Sequence, residues 1–317
     1  MTTPTDPSSE QPIQQPTRPR FGLDRRMFLV GTASAGFLAA CGGGSSEGDA
    51  AADGDGSGGS DDGGEATTSI DSYAIVQRFP SDVLVPGEIR LPFSLALAAE
   101  FISDGPDELT AQVVDLEGND VGDEIVAVRR DVTPSSYYAF RPTIDTPGIY
   151  AIRIEGGPEE GANFQVMEPD QVAVPGPGDT LPAFATPTPD DPGGVDPICT
   201  REPACPFHEV TLTDALASGK SVAYIVGTPA FCQTGTCAPA LETMVSIAPE
   251  YTDDYVFVHA EVWDDLTATE VAPAVADLNM QFEPALFIVD PTGSVVERID
   301  GLWDATELRE RLDDAIA

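Results

Sequence analysis

Ser221-Val222-Ala223-Tyr224-Ile225-Val226-Gly227-Thr228-Pro229-Ala230-Phe231-Cys232-Gln233-Thr234-Gly235-Thr236-Cys237-Ala238-Pro239-Ala240-Leu241-Glu242-Thr243-Met244-Val245 runs an apolar strand into a helix across two cysteines. Residues 221–226 are short, apolar and rich in strand formers, and 227–231 read as a turn. A helix starts at about Cys237. A thiol at a helix N-terminus meets unpaired backbone N–H groups and the positive end of the dipole, which favours thiolate. Thiolate is the form that attacks disulfides and binds soft metals. Two such thiols close together make either a redox couple or a metal clamp.

Outward from this junction, residues 199–317 alternate strand and helix, which argues an α/β sheet. Thr211–Gly219 fits a short helix with a glycine stop. A strand is expected over Asp254–Val262, a helix over Thr267–Leu278, and a closing amphipathic helix over Ala305–Ile316. Pro284–Asp290 and Ser294–Ile299 flank Pro291-Thr292-Gly293, a hairpin signal. His259 falls in an apolar strand and reads as a core or strand-end residue; His208 reads as surface. Asp253-Asp254 and Asp264-Asp265 read as caps in an acidic chain.

This order resembles the thioredoxin fold over about the last 110 residues. The resemblance rests on the strand–dithiol–helix junction, a proline opening the third core strand (Pro284), and the closing hairpin and helix. It implies a cis Glu283–Pro284 bond packed beside the dithiol, with Cys232, Cys237, Pro284 and Glu283 as the catalytic set. The chain departs from the usual pattern in three ways. The spacing is C-x4-C rather than C-x-x-C, Phe231 replaces the tryptophan before the first cysteine, and residues 221–226 lack the buried acid. Glu283 is the expected substitute carboxylate, and by like-charge repulsion it should raise thiol pKa values. Cys232 would attack the substrate disulfide and Cys237 would resolve the mixed disulfide.

The chain has 317 residues and two domains are expected. It holds 15 basic and 54 acidic residues, a net charge of −39, and a single lysine, Lys220. No basic patch is available for nucleic acid. Residues 1–40 read as an export signal: Arg25-Arg26-Met27-Phe28-Leu29 resembles a twin-arginine signal, and the apolar stretch to Ala40 is too short for a membrane span. Leu38-Ala39-Ala40-Cys41 resembles the lipobox of prokaryotic lipoproteins, implying a lipid on Cys41 and a place on the extracytoplasmic face of the membrane. Five cysteines minus Cys41 leave Cys199, Cys205, Cys232 and Cys237, which allow three pairings. Sequence proximity favours Cys199–Cys205, as a structural staple, and Cys232–Cys237.

Residues 41–69 are, apart from Cys41, Thr67 and Thr68, all Gly, Ser, Asp, Ala and Glu, and read as a flexible acidic linker. The formal G-x-G-x-x-G match at Gly54–Gly59 has no strand before it or helix after it and belongs to that linker. Residues 70–168 read as seven strands separated by turn signals, Tyr73–Phe79 to Asn163–Met167. The stretch from Phe140 to Arg153 resembles the closing strands of an immunoglobulin-like sandwich. Residues 169–198, rich in Pro and Gly, read as a semi-rigid linker holding the last domain away from the sandwich. The expected fold class is thus an N-terminal all-β immunoglobulin-like sandwich plus a C-terminal α/β thioredoxin-like domain.

Three functions fit. The first is a membrane-anchored thiol–disulfide oxidoreductase acting on exported protein thiols or disulfides, without a cofactor. The second is a copper chaperone similar to the Sco family, holding the metal with Cys232, Cys237 and His208. The third is a non-catalytic thioredoxin-like adaptor with an inert disulfide.

Overall fold

A computed structural model of the chain describes residues 73–133 and 135–317. The segment read as an export signal, Cys41 and the whole of the acidic linker lie outside the described residues.

Ten strands come first: β1 (Ala74–Gln77), β2 (Gly87–Glu88), β3 (Leu91–Leu97), β4 (Glu100–Phe101), β5 (Glu108–Val114), β6 (Asp120–Val132), β7 (Ser135–Phe140), β8 (Thr143–Ile144), β9 (Gly148–Ile154) and β10 (Ala162–Val166). All seven expected strands are present within a few residues of their predicted ends. They form two groups, β1-β3-β7 and β5-β9-β10, joined through β6. The hydrogen-bonded path β1-β3-β7-β6-β5-β9-β10 is continuous, with β4 added on β3. The 13-residue β6 makes it so: its first part pairs with β5, up to Val128, and its end, from Arg129, pairs with β7. Every pairing in this sheet is antiparallel. The sheet wraps a core of Leu91, Phe93, Leu95, Tyr138, Phe140, Ile152 and Phe164.

The α/β part follows as α1 (Leu212–Leu216), β11 (Ser221–Val226), α2 (Cys237–Ile247), β12 (Tyr255–Ala260), α3 (Pro273–Asp277), β13 (Ala285–Val289), β14 (Val295–Asp300) and α4 (Ala305–Asp314). Its sheet runs β12-β11-β13-β14. β11 is parallel to β12 and antiparallel to β13. β11 is buried on both faces, which is why it reads as an unbroken apolar run. Ala223 and Ile225 face a core with Leu241, Met244 and Trp303; Val222, Tyr224 and Val226 face a second core with Leu212, Leu278 and Phe287. Among the described residues no helix is long and apolar enough to cross a membrane.

Two expectations are corrected. The helix expected over 267–278 is α3 alone. Pro273 lacks an N–H and suits only a first helical turn, while Thr267 is tied to Asp265 and the Ala272 N–H to the Val262 carbonyl. The segment 169–198 does not hold the two parts away from each other. Val174 and Leu181 are buried in the second α/β core, and backbone bonds join Gly178 and Asp179 to Val295.

The all-β sheet instead packs onto the last helix through arginines. Arg90 makes a two-pronged ion pair with Glu307 at 2.7 Å and donates to the carbonyls of Asp300 and Leu302. Tyr137 donates to the same carboxylate at 2.6 Å. Arg130 reaches Asp304 and Glu310, and Arg141 reaches Glu297.

Candidate active site

β11 ends at Val226, the chain turns through residues 227–236, and α2 begins at Cys237. The turn folds the Cys232 sulfur back over the helix start, where it accepts the Cys237 backbone N–H at 3.3 Å. Thr234 Oγ1 lies 3.2 Å from the same sulfur and 2.7 Å from Thr236 Oγ1. The four residues between the cysteines thus supply hydroxyls that bracket the sulfur. Cys232 is partly exposed and Cys237 is buried. Both are free thiols, and both sulfurs and a Glu283 oxygen lie within 4.8 Å of one another.

Opposite the turn, β13 is opened by a cis Glu283–Pro284 bond, as expected. A Cβ placed on Gly227 would sit 3.0 Å from Pro284 Cβ and 3.5 Å from Cys237 Sγ, so strand end, proline and buried sulfur are packed together. Glu283 Oε2 takes the Thr228 N–H at 2.9 Å and lies 3.3 Å from Cys237 Sγ, which donates to it. A carboxylate from just before β13 therefore lies against the buried sulfur.

These contacts separate the two thiols. Cys232 is drawn down to about 4 by hydrogen bonds from Cys237, Thr234 and the backbone of Cys237 and Thr236, against partial burial. Cys237 is pushed well up by burial, by its bond to Cys232 and by the Glu283 charge. Glu283 is raised to about 7 by burial and by the neighbouring Cys232 thiolate, with the Thr228 N–H opposing. The rise expected from Glu283 holds at Cys237, where burial and the carboxylate act together, and is outweighed at Cys232 by hydrogen bonds, that of the Cys237 side chain first. A cleft of about 250 Å³ opens beside the turn, lined by Thr234, Thr236, Phe282 and Glu283 and by Arg78 and Phe79 of the all-β part.

His208 does not join this dithiol. It is buried, not on the surface, and the set Cys232, Cys237 and His208 expected for copper is not assembled. His208 instead meets Cys199, Cys205 and His259, whose ligand atoms all lie within 4.8 Å of one another. Cys199 and Cys205 are free thiols here, adjacent as expected but joined by no bond. Hydrogen bonding to Cys205 and then to His208 and His259 draws Cys199 down against burial, while Cys205 rises through its bond to Cys199 and burial. The C-x5-C-x2-H spacing is visible in the sequence. His259, 51 residues beyond His208, gave no signal there except as a histidine inside an apolar strand.

No protein-family model matches the chain, and no curated protein does. Two crystal structures from Chlorobium tepidum are similar to it. A thiol:disulfide interchange protein of the thioredoxin family is 16% identical, over 45% of this chain and 97% of its own, with a TM-score of 0.32. A protein described as a thiol:disulfide interchange protein DsbE is 15% identical, over 45% and 99%, with the same TM-score.

Proposed function

We propose that this chain is a lipid-anchored, extracytoplasmic thiol–disulfide oxidoreductase that acts on protein cysteines. The observation that carries the reading is the asymmetry of the dithiol: a partly exposed thiolate on a helix N-terminus, backed by a buried protonated thiol that donates to a carboxylate. The Cys232 thiolate attacks a substrate disulfide, forming a mixed disulfide and expelling one substrate thiolate. Glu283 accepts the Cys237 proton. The Cys237 thiolate then attacks the Cys232 sulfur, releasing the second substrate thiolate and leaving a Cys232–Cys237 disulfide. Two electrons pass from the dithiol to the substrate; run backwards, the same steps oxidise a substrate dithiol. The cleft beside Thr234 and Glu283 is where a substrate chain would lie, and Arg78 and Phe79 give the all-β part, which we read as an immunoglobulin-like module, a share in binding it.

The test is turnover of an insulin or scrambled-disulfide substrate. Cys232→Ser should abolish it, and Cys237→Ser should stop it at a trapped mixed disulfide. Turnover that survives Cys232→Ser would overturn the assignment, and a dithiol potential far below about −300 mV would favour an inert staple.

A further inference from the structure

We propose that Cys199, Cys205, His208 and His259 form a closed structural zinc(II) site, separate from the dithiol and independent of the redox reading. All four are buried, at 8%, 6%, 4% and 1% exposure. His259 Nδ1 lies 3.4 Å from Cys205 Sγ, 3.8 Å from Cys199 Sγ and 3.2 Å from His208 Nε2. A tetrahedral ion with metal–sulfur bonds of about 2.3 Å and metal–nitrogen bonds of about 2.0–2.1 Å sets its ligand atoms roughly 3.3–3.8 Å apart. The spacing fits before any ion is placed.

The hydrogen-bond arithmetic points the same way. His259 Nε2 lies 2.8 Å from the Gly227 carbonyl, which can only accept, so Nε2 carries the proton and Nδ1 presents a lone pair. Two sulfurs and the His208 ring lie within 3.8 Å of that one nitrogen. One cation at their centre satisfies all four groups together. His208 would bind through Nε2, the nitrogen that faces His259 Nδ1. Two thiolates cancel the charge of a divalent ion, so the closed site would be neutral and burial is affordable. Two sulfurs with two imidazoles in a tetrahedron favour zinc over copper(I), which prefers more thiolate. The Gly227 carbonyl is the outer partner that orients His259. A pocket of about 450 Å³ lined by Pro192, Val195 and Ile198 reaches Cys199 and gives an ion its route in.

Such a site would pin residues 199–208 to β12 and, through His259, to the turn entering the dithiol loop. The full chain carrying Cys232→Ser and Cys237→Ser, reduced and stripped with chelator, would be titrated with cobalt(II) and then zinc(II) alone. We expect one equivalent of cobalt, with the intense visible bands of a tetrahedral site and thiolate-to-metal charge transfer, displaced by one equivalent of zinc. His208→Gln should weaken zinc binding by about a hundredfold or more, as expected for one ligand in four. A weak octahedral cobalt spectrum, a preference for copper(I) over zinc, or a Cys199–Cys205 disulfide in protein isolated with its thiols trapped would overturn the site. The cobalt spectrum needs no substitution within the cluster, so misfolding of His208→Gln would not blunt the test.

Discussion

At the scale of single residues, the two sulfurs of the dithiol loop meet opposite surroundings. Cys232 has N–H and O–H donors around it and Cys237 has a carboxylate. Glu283, raised to about 7, can take the Cys237 proton only when ionised, a form that fills in as pH rises through that value. The Cys232 charge is gone in the mixed disulfide, so its resolution should speed up as pH rises through a value at or below about 7 and level off above it. Glu283→Gln keeps an oxygen for the Thr228 N–H but cannot take a proton; it should slow the step about 10²–10⁴-fold and remove the inflection. Stopped-flow single turnovers across pH would read both, and a retained inflection would exclude Glu283 as the acceptor. Cys232, Cys237 and Pro284 were legible because they sit at marked places in a linear pattern. The division of labour was not. Like-charge repulsion from Glu283 was visible in the sequence, but which sulfur it touches depends on how the loop folds back over the helix. His208 was grouped with the wrong cysteines for a similar reason, since His259 lies on a strand 51 residues away.

At the scale of elements, strand positions were legible because burial of β11 and β13 on both faces demands unbroken apolar runs, and each run ends in recognisable turn chemistry. The α3 region was misread because Thr267–Ala272 has helix-compatible spacing while Asp265 and Val262 bind its backbone elsewhere. A close junction between elements is Gly227, where the end of β11 passes β13 and the start of α2. A methyl there meets Pro284 and the buried sulfur at once. Gly227→Ala should destabilise the reduced protein by about 1–3 kcal/mol, the usual range for overpacking, and slow the resolving step by displacing Cys237. Urea unfolding of the reduced protein measures the first effect. A change below about 0.5 kcal/mol would mean that proline and loop give way freely.

At the scale of the whole molecule, the all-β sheet and the α/β layer share charged groups that neither could bury alone. Sequence reading took the proline-rich segment for a spacer because composition reports backbone stiffness and says nothing of what the segment lies against. Arg90 and Glu307, 217 residues apart, carry no local signal of their pairing. Burial works against ionised Glu307, yet the Arg90 charge, its hydrogen bonds and the Tyr137 hydroxyl hold it at about 2. Removing the charge strands Arg90 among carbonyls. Breaking a buried pair from one side costs about 3–5 kcal/mol, so Glu307→Gln should lower unfolding stability by that order at neutral pH. The sign of the pH dependence follows from a depressed carboxylate. Its stabilisation is complete above the ordinary carboxylate range near 4.3 and is lost as pH falls toward 2. The gap between wild type and Glu307→Gln should therefore narrow on acidification and remain constant from about pH 5 to 8. Urea titrations followed by fluorescence of buried Trp303 and by far-UV circular dichroism would measure it. If the contact joins the two parts into one cooperative unit, both signals move together in the wild type and separate in the variant. A gap under about 1 kcal/mol, or one indifferent to pH, would mean that the pair is solvated and the two parts stand independently.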